Sequence, residues 1–342
     1  MAATFTRGTT AATVQIVLEF SPRSRPLLIR PAQREYRSWS TDSRLWANYE
    51  PRSGDIVIAT PAKCGTTWTQ QIVAALVFQD ARPRPLSALS PWLDARYRTS
   101  EETFAALRAQ THRRFLKTHL PLDGLPFFDE VRYVHVARDG RDAALSMHNH
   151  ATGVSPAQLA VFDRFGLEDP AVGRRYPRFP ASPAEFFHIW MTTPAVAGHT
   201  EGTPHPSFFD LVAGFWAERG RANVLLVHYN DLKADLDGEM RRIASFLDIA
   251  VDEAVWPSLV ASAGFEAMRA AGDALMPMTR AMFPDGPDRF FHKGVNGRWR
   301  GVFTDEDLAL YDARARQRFS PSLAAWVEGG RHRAGDPRHA PD

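Results

Sequence analysis

The feature that most constrains this chain is the segment 60–68, Thr-Pro-Ala-Lys-Cys-Gly-Thr-Thr-Trp, which joins an apolar run to a helical pattern. Residues 55–59 predict a short buried strand, and the apolar spacing between Ile72 and Val77 predicts a helix that begins near Gly65. Such a helix points its unpaired N–H groups and the positive end of its dipole into the turn, where an anion is stabilised. The segment therefore predicts a P-loop-type phosphate-binding turn.

The residues within this turn suit an anionic ligand. Lys63 adds a full positive charge, and Gly65 allows the backbone to approach the ligand closely. The hydroxyl groups of Thr66 and Thr67 can cap the helix or bind phosphate oxygens. Cys64 lies inside the same turn, where a small buried filler is a more common role for a lone thiol than a reactive one.

The order of residues in the turn differs from that of the common nucleoside-triphosphate loop, Gly-x-x-x-x-Gly-Lys-Ser/Thr, because Lys63 precedes Gly65. A Mg²⁺-dependent phosphotransferase, which places Ser or Thr directly after the lysine, is therefore disfavoured. The turn taken alone is equally compatible with an ordinary strand–turn–helix unit that exposes a lysine.

Length and composition limit the fold and the function. The 342 residues, of which 44% are hydrophobic, suffice for one large core, so a single α/β domain is expected. The 41 basic and 39 acidic residues give a net charge of +2, which offers no support for nucleic-acid binding and requires any cationic site to be local. The single cysteine excludes an internal disulfide and a cysteine-rich zinc site, and it fits a reducing compartment, so a cytoplasmic location is expected.

The ends of the chain are the least readable parts. Residues 1–33 are predicted to form a flexible extension, although a transit peptide or an over-extended reading frame has a similar composition. The apolar patch at 11–20 is too short and too polar to span a bilayer, so no membrane span is expected. Residues 34–330 are predicted to form the domain, and 331–342 a polar tail. A helix at 101–110 is predicted to be capped by Ser100.

A second segment ends in candidate catalytic side chains. Residues 113–119 have a short strand pattern, and Lys117 and His119 lie two residues apart at its end, on one side of the chain. Ligands of open parallel sheets bind at such strand ends. A neutral imidazole can accept a proton from an attacking hydroxyl, so His119 is a candidate general base; a purely structural histidine is the alternative.

A third segment repeats the same strand–turn–helix order. Residues 131–137 predict a strand, Arg138 follows at its end, and Ser146 lies on the next helical stretch. The planar guanidinium suits a phosphate, so both side chains are predicted to meet one anionic group, although the sequence 138–142 taken alone is typical of a solvated turn.

These segments together resemble the soluble sulfotransferase family, which transfers a sulfuryl group from 3′-phosphoadenylyl sulfate to an acceptor. Residues 60–68 are similar to the family's 5′-phosphosulfate loop, usually Lys-Ser-Gly-Thr-Thr-Trp, with Cys64 in place of the serine and Trp68 retained. Residues 115–121 are similar to the segment that carries the catalytic histidine. The resemblance implies His119 as general base, with Lys63 and Lys117 stabilising charge.

The resemblance also implies a complete donor site. Arg138 and Ser146 match the pair that holds the 3′-phosphate. Residues 223–229 predict a strand that ends at Tyr229, and a single helix is predicted from residue 230 to about 247. Tyr229, and Phe265 with Met268, match residues that contact adenine in the family. Residues 291–299 resemble the family's Arg-Lys-Gly signature near the 3′-phosphate, and they supply His292, where arginine is usual, Lys293 and Gly294.

The fold implied is a single α/β domain with a central, mainly parallel sheet flanked by helices. The activity implied is in-line sulfuryl transfer to a hydroxyl of a phenol, sterol, glycolipid or similar molecule, without a metal. The acceptor is expected to be a small molecule of lipid-like or aromatic shape. Loops 166–183 and 195–206 are candidates for a lid, and the aromatic-rich helical patterns 184–191 and 208–216 are expected to be core. A non-catalytic nucleotide-binding protein on the same fold is the alternative.

Overall fold

Four parallel strands form the centre of the computed structural model, which describes residues 25–96 and 99–342. In the sheet they lie in the order β3 (Phe115–Thr118), β2 (Ile56–Ala59), β5 (Arg132–Ala137) and β6 (Val224–His228). Ile56 of β2 is in register with Phe115 of β3 and with Arg132 of β5. The strands are β1 (Leu28–Arg30), β2 (Ile56–Ala59), β3 (Phe115–Thr118), β4 (Phe127–Phe128), β5 (Arg132–Ala137) and β6 (Val224–His228), of which β1 and β4 form a separate antiparallel pair.

Helices cover both faces of this sheet, as predicted. Those in the first half of the chain are α1 (Thr66–Phe78), α2 (Leu86–Leu89), α3 (Ser100–Ala109), α4 (Gly140–Thr152), α5 (Pro156–Glu168), α6 (Pro183–Thr192) and α7 (Phe208–Ala217). Those in the second half are α8 (Tyr229–Ala234), α9 (Leu236–Phe246), α10 (Trp256–Ser262), α11 (Phe265–Ala270), α12 (Gly272–Leu275), α13 (Thr279–Met282), α14 (Pro287–Phe290), α15 (Asp305–Arg318), α16 (Pro321–Gly329) and α17 (Arg331–Ala334). Short 3₁₀ turns lie at Ser43–Asn48, Leu122–Gly124 and Pro337–His339.

The alternation of side chains along the strands divides the interior into two cores. Successive strand residues point to opposite faces, so Ile56 and Ile58 pack on one side of the sheet while Val57 and Ala59 pack on the other. On the first side they meet α1, α9 and α10; on the second they meet α4, α7, α15 and α16. Because both faces are buried, the strands are nearly continuous apolar runs.

The aromatic-rich helices α6 and α7 belong to the core, as predicted. Each begins at a serine whose hydroxyl accepts a hydrogen bond from the helix's first turn, Ser182 in α6 and Ser207 in α7. Their large side chains are almost fully buried: Phe186, Phe187, Trp190, Phe208, Phe209, Phe215 and Trp216.

Two predicted helices differ in detail from the structure. The N-cap of α3 is Thr99, whose hydroxyl accepts a hydrogen bond from the Glu102 amide, so the predicted cap at Ser100 is wrong by one residue. The stretch after β6 was predicted as one helix to about residue 247, but it breaks at Asp235. That residue has an extended backbone and its carboxylate caps α9 through the Gly238 amide at 2.8 Å, which separates α8 from α9.

The ordered fold extends beyond both predicted domain boundaries. Strand β1 lies inside the segment 1–33, which was predicted to be flexible, and it is ordered because it pairs with β4. Residues 1–24 of that segment lie outside the described residues. At the other end, the predicted polar tail 331–342 packs on the domain. The Arg219 Nε donates to the Pro337 carbonyl at 3.0 Å, and the Ser320 hydroxyl donates to Asp342 Oδ1 at 2.9 Å.

The loop 195–206, a predicted lid, is anchored to the end of α6. The Gly202 amide donates to the Trp190 carbonyl at 2.9 Å, and the Thr203 amide to the Thr193 carbonyl at 3.1 Å. Ala195 and Val196 are buried in the core on the α7 side. These contacts fix the loop as part of the wall around the site.

No helix within residues 25–96 and 99–342 combines the length and the apolar character that crossing a membrane requires.

Candidate active site

Each strand of the central sheet delivers a predicted site residue directly after its last residue or a few residues later. Lys63 follows β2, His119 follows β3, Arg138 follows β5 and Tyr229 follows β6. Since the strands are parallel, these residues lie at the same edge of the sheet, the carboxyl edge, where ligands of such folds bind. They line one cavity of about 370 Å³.

The turn between β2 and α1 has the conformation that a phosphate-binding loop requires. Gly65 (φ +109°) is the N-cap of α1, and among the described residues no side chain caps this helix end. A Cβ at Gly65 would lie 3.2 Å from the Tyr229 ring, so the glycine is required for the close approach as well as for the backbone. The hydroxyl groups of Thr60 and Thr66 contact each other beneath the turn. The free N–H groups of α1 are thus left for a ligand.

Lys63 brings a half-buried positive charge to this turn. Its own φ of +70° turns the side chain into the cavity wall, where its Nζ lies 4.5 Å from the centre of the Phe290 ring. Burial, together with the charges of Arg138 and Lys117, lowers the pKa of Lys63 to about 8. A bound anion would reverse these effects, so the site is matched to a ligand with negative charge.

Cys64 was predicted as a donor-site residue, but its side chain is fully buried and it is not among the described residues that line the cavity. Its amide donates to the Pro61 carbonyl at 3.3 Å, so the backbone too is engaged within the turn. Burial raises the pKa of the thiol to about 12. The side chain therefore fills space beneath the turn.

His119 is held in the tautomer that a general base needs. Its Nδ1 lies 2.8 Å from the carbonyl oxygen of Thr60, and since a carbonyl can only accept, Nδ1 carries the proton and Nε2 carries the lone pair. Burial, together with the nearby charge of Lys117, holds the pKa of His119 well below its usual value. The imidazole is therefore neutral in the unliganded protein.

A tryptophan that sequence reasoning missed braces this histidine. The Trp92 ring packs edge-on against His119, with ring centres 4.9 Å apart, and it lies under the Lys117 ammonium at 4.9 Å. Its Nε1 donates to Oδ2 of the fully buried Asp94 at 2.8 Å, and Trp46 donates to the other carboxylate oxygen at 3.2 Å. The brace fixes the positions of both predicted catalytic side chains at the end of β3.

Arg138 and its neighbours form a second cationic region of the cavity. One nitrogen of Arg138, Nη2, donates to the Val295 carbonyl at 3.0 Å and to Asn296 Oδ1 at 2.9 Å. Within the described part of the chain, its buried Nε has no hydrogen-bond partner. Ser146, on α4, lines the same cavity. A buried guanidinium with an unused donor is a site for an anionic oxygen.

The loop 292–298 closes this second region. His292, Lys293 and Gly294, which were predicted to bind the donor, all line the cavity. The Asp142 carboxylate fixes the loop by accepting hydrogen bonds from the amides of Gly297 at 2.7 Å and residue 298 at 3.2 Å. This brings Arg298, which sequence reasoning did not single out, into the wall; burial, with the charge of Arg138, lowers its pKa.

The predicted adenine contacts, Tyr229, Phe265 and Met268, line the same cavity, and Trp68 of the turn lies beside Tyr229. The Trp68 and Tyr229 rings meet edge to face at 5.2 Å, and Trp68 Nε1 donates to the Ala263 carbonyl at 2.8 Å. Phe265 and Met268 line the cavity beside them. Gly294 (φ +63°) is required here, because a Cβ would lie 2.7 Å from the Phe265 ring.

The cavity continues past His119 into an apolar part. Two further histidines that sequence reasoning missed, His150 and His205, line it. Its apolar wall includes Met147, Val154, Phe162, Tyr176, Met276, Met278, Met282, Phe283 and Phe290. Neither histidine stands in a recognisable motif, so only the fold brings them to the site. Within residues 25–96 and 99–342 no group of three His, Cys, Asp or Glu side chains is arranged to hold a metal ion.

The family model and two known relatives that match this chain are described as sulfotransferases. A family model described as a sulfotransferase domain matches residues 53–322. A glycolipid sulfotransferase of Mycobacterium tuberculosis is 38% identical over 309 residues, covering 86% of this chain and 94% of the relative. Mouse sulfotransferase 1B1 is 26% identical over 283 residues, covering 80% of this chain and 85% of the relative.

Two solved structures share the fold. Retinol dehydratase in complex with androsterone and the inactive cofactor PAP has a TM-score of 0.62 at 24% identity, covering 82% of this chain and 87% of that one. A mouse sulfotransferase complexed with PAP has a TM-score of 0.63 at 20% identity, covering 89% of this chain and all of that one. The likeness in fold therefore extends over most of this chain.

Proposed function

Since the chain belongs to the sulfotransferase family, we propose that it transfers a sulfuryl group from 3′-phosphoadenylyl sulfate to a hydroxyl group of a lipid-like acceptor. The observation that carries the proposal is that Lys63, His119 and Arg138, from three adjacent strand ends, line one cavity. The arrangement combines a phosphate-binding turn, a second cationic region and a base-competent imidazole.

The donor fits this cavity by charge and shape. The turn at Lys63 and the free N–H groups of α1 receive the 5′-phosphosulfate, and Arg138, with its unused Nε, receives the 3′-phosphate together with Ser146 and Lys293. The adenine lies among Trp68, Tyr229 and Phe265, residues that offer aromatic faces. The two solved structures of the same fold contain PAP, the nucleotide that remains after sulfuryl transfer, which supports this assignment.

His119 acts as the general base. The acceptor oxygen attacks sulfur while its proton passes to Nε2 of His119, and the bond between sulfur and the leaving phosphate oxygen breaks in line with the attack. The proton resides on the imidazolium until it is lost to solvent, and the negative charge resides on the departing phosphate. The anionic donor also offsets the lysine charges that weaken the basicity of His119 in the free protein.

Lys63, the N–H groups at the start of α1 and Lys117 stabilise the charge on the leaving phosphate. These groups are fixed before the reaction, so little reorganisation is needed as charge develops. Lys117 is held in place by the Trp92 ring, and its pKa is lowered to about 8 by burial. The positive charges of Lys63 and Lys117 therefore stabilise the transition state, in which negative charge develops on the leaving phosphate, more than the bound donor.

The apolar part of the cavity selects an acceptor with a hydrophobic body. Methionine side chains adapt to varied shapes, and the phenylalanines supply flat surfaces, so a lipid-like molecule is favoured over a small polar one. The 38% identical relative is named a glycolipid sulfotransferase, which supports the same choice. The buried free thiol of Cys64 is compatible with action in the cytoplasm.

A non-catalytic nucleotide-binding protein is the second candidate function. The replacement of arginine by His292 in the proposed 3′-phosphate region favours it, because a histidine loses its charge far more readily than an arginine. Partial desolvation and the charge of Arg298 lower the pKa of His292 further. The base-ready tautomer of His119 and the brace formed by Trp92 and Asp94 favour catalysis instead.

A mass-spectrometric screen distinguishes the two. The purified protein is incubated with 3′-phosphoadenylyl sulfate and a panel of phenols, sterols and glycolipids, with EDTA present to remove metal-dependent reactions. We expect at least one acceptor to gain the mass of a single sulfuryl group, and we expect that gain to disappear in His119→Ala. Binding of PAP without sulfation of any acceptor would instead support the non-catalytic candidate.

A further inference from the structure

We propose that the acceptor carries a second hydroxyl group beside the one that is sulfated, and that His205 binds it. The inference rests on the proposed function and deepens it by naming the substrate class, a vicinal diol or polyol attached to an apolar body. It depends on the position, the hydrogen-bonding state and the charge of His205.

His205 lies directly beside the proposed base. The ring centres of His119 and His205 are 5.6 Å apart, and both rings border the cavity. The two residues also share a neighbour, since the Trp92 ring lies 4.9 Å from His119 and 6.4 Å from His205. A hydroxyl held at His119 therefore places an adjacent substituent of the same molecule next to His205.

His205 has an unused hydrogen-bonding capacity. In the parts of the chain that the structure describes, neither of its ring nitrogens makes a hydrogen bond, and its Nδ1 is buried. By contrast, His119, His135 and His228 are buried and each has one ring nitrogen on a backbone carbonyl. Within the described residues, the buried Nδ1 of His150 in the same cavity shares the unpaired state of His205. Buried polar groups are nearly always paired, so an unpaired imidazole in a cavity wall indicates a ligand partner.

The charge of His205 indicates the chemistry of that partner. Burial, with the charges of Lys117 and Lys63, lowers its pKa to about 4, so the ring is neutral near pH 7. A neutral imidazole offers one donor and one acceptor, which matches a hydroxyl group and gives no advantage to an anion. The cavity as a whole is lined by several methionine and phenylalanine side chains, so a hydroxyl bound at His205 is distinguished from the apolar body of the acceptor.

The position of His205 is fixed before a ligand binds. Its amide donates to the Gly202 carbonyl at 2.9 Å, and the Gly202 amide donates to the Trp190 carbonyl of α6 at 2.9 Å. Ser207, two residues after His205, is the buried N-cap of α7. Because the loop is held on both sides, binding a hydroxyl requires little ordering of the protein.

The test compares two acceptors that differ by one hydroxyl, 1-dodecanol and 1,2-dodecanediol. For the unmodified protein, kcat/KM for the diol should exceed that for the mono-alcohol by about ten-fold or more, the discrimination expected when a buried polar group would otherwise be unpaired. In His205→Phe, which keeps a planar ring and removes the hydrogen bond, the ratio should fall to about two or below, since two is the statistical limit if the primary and the secondary hydroxyl of the diol react equally well. In His205→Gln, which restores a donor and an acceptor, the preference should partly return.

The matched control is His188→Phe, the same substitution at an exposed histidine of α6, which should keep the full preference for the diol. PAP affinity, measured by calorimetry, should be unchanged in both phenylalanine variants and shows that they are folded. Equal kcat/KM for the two alcohols in the unmodified protein, or an undiminished diol preference in His205→Phe, would overturn the inference alone. Sulfation of phenols with no reaction of either alcohol would also overturn it while sparing the proposed function, whereas no sulfation of any acceptor would overturn both.

Discussion

The lowered pKa of Lys63 leads to a quantitative prediction for donor binding. In the free protein this pKa is about 8, because burial and the charges of Arg138 and Lys117 disfavour the ammonium form. A phosphate bound at the turn favours the ammonium form and raises the pKa. Binding therefore takes up a proton when the solution is above pH 8, and the affinity for the nucleotide must fall as the pH rises.

The magnitude follows from the fraction of Lys63 that is protonated. This fraction is about nine tenths at pH 7 and about one tenth at pH 9, so the deprotonation of Lys63 alone should lower the affinity for PAP by about ten-fold, or about 1.4 kcal/mol. The pKa of Lys117 is also about 8, so its deprotonation adds to this loss. The ligand contributes little to the change, because the second phosphate ionisation lies near pH 6 and is largely complete at pH 7.

Calorimetry with PAP between pH 7 and pH 9 measures this change, and titration in buffers of different ionisation enthalpy measures the proton uptake. The control is Lys63→Arg, which keeps a positive charge throughout this range, so its affinity should depend less on pH than that of the unmodified protein by about one decade. The reasoning is refuted if the two proteins show the same pH dependence, or if the unmodified protein binds PAP equally well at pH 7 and pH 9.

Three further predictions concern single substitutions. Arg138→Ala removes the guanidinium whose Nε has no partner among the described residues. Calorimetry should show PAP binding about 10- to 100-fold weaker, as expected for the loss of a charged hydrogen bond, and an unaltered affinity would exclude Arg138 from the donor site. Gly65→Ala forces a Cβ into a backbone with φ +109° and to within 3.2 Å of the Tyr229 ring, so thermal denaturation should show a loss of about 1–3 kcal/mol, and an unchanged Tm would contradict the geometry of the turn. Trp92→Phe keeps a ring beside His119 but removes the hydrogen bond to Asp94, so kcat should fall by about ten-fold while the affinity for PAP stays constant. A change in PAP affinity without a change in kcat would mean that Trp92 does not position the base.

Local sequence was sufficient for the features that depend on neighbouring residues. Residues 56–59 are a run of apolar residues too short for a helix, and Gly65 separates them from a helical apolar spacing, so the strand, the turn and α1 were all predictable. The same local order placed Arg138 at a strand end. Because parallel strands share a carboxyl edge, the convergence of Lys63, His119 and Arg138 followed from the pattern without a structure.

The features that depend on distant contacts could not be predicted. The tautomer of His119 is set by the Thr60 carbonyl, 59 residues away in sequence. The Asp94 carboxylate that accepts a hydrogen bond from Trp92 is also bound by Trp46, 48 residues away in sequence. His205 reaches the cavity because its loop is hydrogen-bonded to α6. The break at Asp235 was missed because a capping aspartate and a surface aspartate within a helix look the same in sequence.

In the proposed mechanism, His119 removes the proton of the acceptor hydroxyl. This role is tested most directly by measuring both the single-turnover rate of sulfuryl transfer and the affinity for PAP in His119→Ala. His119 follows β3 and contacts Thr60 and Trp92, whereas Arg138, the proposed ligand of the 3′-phosphate, follows β5, and β2 lies between these two strands in the sheet. We predict a loss of rate of about 10²- to 10⁴-fold, the usual contribution of a positioned base, with PAP affinity unchanged within about two-fold. A variant that transfers the sulfuryl group at a rate near that of the unmodified protein would contradict the account.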